Sequence, residues 1–305
     1  MKHQFSTARQ MIGAIASATV LTLSLISPTF AQDPFRATNR RMIGDKTEAA
    51  FRAVFEQGDY VAAERYLQQA EANEPNEPLA YAMKASLAYS QNQDFNSLDS
   101  YGKKTVEAAN RLMTTDPLRG NLYAAVGRFL QGAAALSREG TVKGAPQALS
   151  ALRQVYEYLD KAEAVSSTDP ELNLLRGYMD LLLAVNLPFS NPEQAIQRLE
   201  KFAGPKYLAY RGIAIAYRDL DQYPQALAAV DRAMQFTANN PELFYLKAQI
   251  QSEQGRKQNN KLMLQEAVKN FDQAIAKKTQ LPASLVKQIE RERHRTAEHL
   301  GVAKQ

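Results

Sequence analysis

The 305-residue chain has no cysteine, no tryptophan and only three histidines. Lack of cysteine excludes disulfides, thiolate metal sites, a cysteine nucleophile and a lipid-modified cysteine anchor. Three histidines argue against a histidine-rich metal site, and His294 and His299 stand about 140° apart on a helix rather than sharing a face. Also missing are a G-x-S-x-G elbow, a Walker-type loop and a paired-glycine phosphate cradle. The acids are scattered as on solvated helix faces, with no two set out as general acid and base. The chain therefore reads as a non-enzyme with no catalytic residue, no cofactor and no metal. Charge of one sign is not in large excess either. The formal balance is +5, and it falls to +3 without Lys2 and Arg9, which lie in an acid-free start. That is too little to indicate a nucleic-acid partner. No long apolar run follows residue 26, so no membrane insertion is expected of the remainder.

What is present begins with a targeting pattern. A short basic start precedes the uncharged apolar run from Met11 to Ile26, and Thr29 and Ala31 supply small residues at the −3 and −1 sites of a cleavage. Residues 1–31 are thus expected to be a signal peptide cut between Ala31 and Gln32. The rest would be periplasmic or extracellular. An uncleaved anchor is the alternative, disfavoured because sixteen apolar residues fall short of the roughly 20 needed to span a bilayer.

Beyond it the sequence repeats. An acid or Asn followed by Pro recurs at Glu77-Pro78, Asp116-Pro117, Asp169-Pro170 and Asn240-Pro241, each able to end one helix and start the next. Within the periods, residues spaced four and then three apart put a small, a larger and a small or apolar side chain on one helical face. They read Ala63, Leu67, Ala70; Ala195, Leu199, Phe202; Ala226, Val230, Ala233; and Ala267, Phe271, Ala274. Gly58 suits the left-handed position after a helix.

These residues resemble the tetratricopeptide repeat. The fullest copy is 207–240, with Tyr210, Ile213, Ala214 and Tyr217 on its first helix and Ala226, Val230 and Ala233 on its second. The resemblance implies an all-α fold, a right-handed superhelical solenoid of antiparallel helix pairs. Approximate repeats fall at 45–77, 78–116, 117–169, 170–204, 205–240 and 241–280. A flexible leader is expected at 32–44, and a capping helix with its tail at 281–305. Inserted loops are expected near 140–146 and 186–191.

The resemblance also implies a concave face lined by the first helix of each pair. Its inner positions hold Ser86 and Tyr89; Leu174, Tyr178 and Leu181; Arg211, Ile215 and Arg218; and Tyr245, Gln249 and Ser252. Tyrosine rings beside guanidinium groups suit capture of a peptide segment or partner helix. The leading expectation is a protein-binding scaffold of the cell envelope. The alternatives are an enzyme or small-ligand binder using the inserted loops, and a structural oligomer.

Overall fold

A computed structural model describes residues 33–186 and 192–301, all within one unit of the chain, Ala31–Gln305. The expected signal peptide, its cleavage site and most of the 186–191 insert lie outside the described residues. Among those described there is no strand, and no helix is long and apolar enough to cross a membrane.

The helices are α1 (Asp45–Phe51, continued by a wider π turn over Arg52–Glu56), α2 (Tyr60–Asn73), α3 (Pro78–Asn92), α4 (Phe95–Leu112), α5 (Pro117–Val165) and α6 (Pro170–Asn186). They continue as α7 (Pro192–Phe202), α8 (Lys206–Asp219), α9 (Tyr223–Phe236), α10 (Pro241–Lys257), α11 (Lys261–Ile275) and α12 (Ala283–Leu300). Consecutive helices pack on one another throughout. Four first helices open on the acid-proline or Asn-proline pairs. Proline takes a position where no amide donor is needed, and the preceding side chain caps the free amides. Glu77 accepts from Leu79 N at 3.1 Å, Asp116 from Arg119 N at 3.0 Å, Asp169 from Leu172 N at 3.1 Å and Asn240 from Glu242 N at 2.9 Å.

The small-residue faces are where pairs close up. Ala63, Ala70, Ala226, Ala233, Ala267 and Ala274 are completely buried, so neighbouring helices approach without a side chain between them. Phe202 departs from the pattern and is exposed. The loop expected at 140–146 is also corrected: only Gly140 leaves helical geometry, with φ 76°, and Pro146 sits inside the helix. At that break α5 folds back on itself. A Cβ on Gly132 would lie 2.8 Å from that of Ala151, so the two limbs, 117–139 and 141–165, touch along bare backbone.

The leader is corrected as well. Residues 33–44 are not a loose tail, because Asp33, Phe35, Arg36 and Ile43 are buried. Their composition is polar, but the polarity is matched by partners in the fold rather than by water. The chain then returns on itself far from its neighbours in sequence. Asn240 donates to the Phe55 carbonyl at 3.0 Å, and Tyr60 donates to Glu242 at 2.8 Å. Gly58 has φ 68° and lies so close to Pro241 that a Cβ would fall 2.6 Å from its ring. In a simple stack each pair meets only its neighbours. Here the first pair also meets the start of α10, and Ser284, on α12, donates to the Ser90 carbonyl at the end of α3.

Candidate functional site

The helix-capping acids that begin the first helices do more than cap. Asp169 holds Arg36 through two bonds of 2.6 Å, and Glu171 receives the same guanidinium at 3.0 Å. Asp33 takes its remaining side at 2.7 Å. Glu77 and Glu171 share Arg119, at 2.8 and 3.2 Å, and Tyr123 donates to Glu171 at 2.6 Å. Glu171 and Arg119 are 0% and 1% exposed as side chains. Burial alone would lower the two arginine pKa values, but the surrounding carboxylates outweigh it and raise both well above the ordinary value. The carboxylates outnumber the two buried guanidiniums, and the amino ends of α3 and α6 supply further positive potential. Every member is paired. This cluster is a fastening for residues 33–41, with no group left over for a ligand.

Directly beside it lies a cavity of about 430 Å³. Its walls include Phe35, Phe51 and Phe55 from the start of the chain and Leu79, Ala82 and Met83 from α3. Tyr123, Val126 and Phe129 come from α5, Leu175 and Met179 from α6, and Leu208 from α8. Phe51 packs edge-on to Phe35 at 4.8 Å and against Phe55 at 4.9 Å, forming one aromatic wall. The exposed wall residues are Ser86 and Leu182.

Four of the sequence-expected inner residues, Ser86, Leu174, Tyr178 and Arg211, line this cavity. Tyr178 donates to the Leu208 carbonyl at 2.7 Å, and burial pushes its hydroxyl up to about 12. Arg211 is ion-paired with Glu242, which keeps it charged despite its burial.

Arg211 also borders a second, polar cavity of about 620 Å³, formed with α10, α12 and the end of α3. Here lie Ile215, Arg218, Tyr245 and Gln249, four more of the expected residues. Arg218 is taken by Asp219 at 2.8 Å and by Gln249 at 2.9 Å. Glu292, on α12, accepts from Tyr245 at 2.9 Å and from Gln249 at 3.0 Å. Ser252 is buried against Thr296 of the same helix, Leu181 is buried, and Tyr89 is exposed beside Phe95. The terminal helix therefore covers the α10 part of the face that the resemblance left open.

Phe51, Phe55, Val126 and Phe129 are not among the residues expected from the sequence. Their signal was present as apolar residues three or four apart on the first helices of the 45–77 and 117–169 intervals. A third cavity of about 640 Å³ lies between α5, α6 and α7. In it Glu163 holds both Arg176 and Arg198, at 2.7 and 2.9 Å, and Tyr156 donates to Asp180 at 2.7 Å. His294 and His299 are exposed, and no group of side chains among the described residues could hold a metal ion. No protein-family model, curated protein or solved structure matches the chain.

Proposed function

We propose that this protein is a non-enzymatic binding scaffold that receives the apolar part of its partner in the cavity between α3, α5, α6 and α8. The observation that carries this reading is an apolar, half-open space of about 430 Å³ lined by the start of the chain, α3, α5, α6 and α8. Interiors are close-packed, and holes of this size and lining are characteristic of ligand seats. Tetratricopeptide-like stacking of helix pairs into a solenoid is the frame for it, supported by the helices that begin at Pro78, Pro117, Pro170 and Pro241. In that frame the walls come from the first helix of each pair. The targeting pattern of residues 1–31 supports a periplasmic or extracellular setting for it.

The test uses the neutral apolar dye N-phenylnaphthylamine. Saturable one-to-one binding is expected to the wild-type chain and not to Ala82→Phe, whose ring would occupy the cavity. Equal dye binding by both proteins, at equal helicity, would overturn the reading.

A further inference from the structure

Taking that cavity as the binding seat, we propose that its occupant is a single linear acyl chain, with a carboxylate head at Arg211 where the apolar cavity meets the polar one.

The wall chemistry separates hydrocarbon from peptide. The helices around the cavity use their backbone amides and carbonyls internally, and the two tyrosine hydroxyls on the wall are already engaged, which leaves Ser86 at the exposed edge and Arg211 at the boundary with the polar cavity. Tyr123 is committed to Glu171, and Tyr178 to the Leu208 carbonyl. A peptide backbone entering this space would bring donors and acceptors that find no partner, at several times the benefit of its side chains. An alkyl chain brings none.

Size points the same way. A methylene is close to water in bulk, at about 30 Å³, so 430 Å³ holds roughly fourteen such groups. No single amino-acid side chain approaches that, whereas one medium-length acyl chain matches it.

Polarity then sets the direction. Along α8 the lining runs from Leu208 through Arg211 to Arg218, and along α3 from Met83 to Ser90 and Gln91. Apolar and polar ends are thus in the same order on two facing helices. In the polar cavity Asp219 and Gln249 take Arg218, while Glu242 takes only Nη2 of Arg211. A guanidinium can hold a second carboxylate on its other edge, as Arg36 holds Asp33, Asp169 and Glu171, and that edge of Arg211 suits an anionic head. Arg211, bordering both spaces, is where the head and tail of one amphiphile would divide.

The experiment is calorimetric titration of the full chain with laurate, 1-dodecanol and a leucine-rich hexapeptide, each also run as a competitor of the bound dye. Laurate is expected to bind one-to-one, to displace the dye and to lose binding in Ala82→Phe. Arg211→Gln is expected to weaken laurate about tenfold more than dodecanol, the equivalent of one charge-assisted hydrogen bond. Circular dichroism of both variants establishes that they are folded. Displacement by the hexapeptide but not by laurate would overturn the proposal and leave the binding scaffold standing. Equal weakening of laurate and dodecanol by Arg211→Gln would overturn the placement of the head. Failure of every compound, the dye included, would remove both readings.

Discussion

Phe35 and Arg36 are neighbours in sequence, and they enter two opposite kinds of interior. The Phe35 ring lines the apolar cavity, while the Arg36 guanidinium is locked among Asp33, Asp169 and Glu171. Tyr123 spans the same divide, with its ring on the cavity and its hydroxyl on Glu171. The charged side is costly to build and tolerates no missing member, because each ion has given up its water for protein partners. The apolar side is costly only in unrealised packing, which a ligand could restore. One part of the core is thus specified by what is there and the other by what is left out.

The largest expected effect falls on the charged side. Glu171→Gln replaces the one carboxylate shared by Arg36, Arg119 and Tyr123 with an amide, whose NH2 would face buried groups that all donate. It should cost about 3–5 kcal/mol in urea unfolding followed by circular dichroism. A cost under about 1 kcal/mol would mean that water reaches the cluster and that the two interiors are less different than their geometry indicates.

A smaller effect compares two alanines on α3. Ala80 is fully buried in filled core, whereas Ala82 faces the cavity. The same change to phenylalanine should cost about 1–3 kcal/mol or more at Ala80, where the ring has no room. At Ala82 it should stay within about 1 kcal/mol of wild type, since the new apolar area enters existing space. Equal losses at both sites would show that the cavity wall cannot accommodate added volume.

How far these features were legible in the sequence follows from their range. The helix starts were, because a capping side chain followed by proline acts within one turn, as at Glu77-Pro78 and Asn240-Pro241. The close helix contacts at Ala226, Val230 and Ala233 were too, since a 3.6-residue period exposes them. Leu174, Tyr178 and Arg211 on α6 and α8 could be named as cavity-lining candidates, although Leu181, named with them, is buried away from the cavity. What covers them could not. Glu292 reaches Tyr245 and Gln249 across 47 and 43 residues, and Arg36 reaches Asp169 across 133. No local pattern carries such a pairing. The leader was expected to be flexible because it is polar and basic at Arg36, Arg40 and Arg41, and only the fold reveals that Arg36 is held by Asp33, Asp169 and Glu171. The cavity was harder still, being a property of volume left between five segments rather than of any one of them.

The smallest effect tests where the charged side ends. Arg41 makes the same kind of contact as Arg36, a guanidinium on the capping aspartate of a first helix, here Asp116. Its side chain is 27% exposed, against 5% for Arg36. Water competes for Arg41 and salt screens it, and Asp116 keeps its bond to the Arg119 amide when the guanidinium is gone. Arg41→Ala should therefore cost only about 0–1 kcal/mol, and the cost should shrink further as salt is raised. Arg36→Ala, by contrast, leaves Asp33 and part of Glu171 buried without their cation and Asp169 with only the longer 3.6 Å contact to Arg41, and its cost should respond little to salt. If both variants lost the same stability with the same salt dependence, exposure would not be what divides the fastening from its rim. The buried cluster would then extend outward to include the whole of residues 33–41.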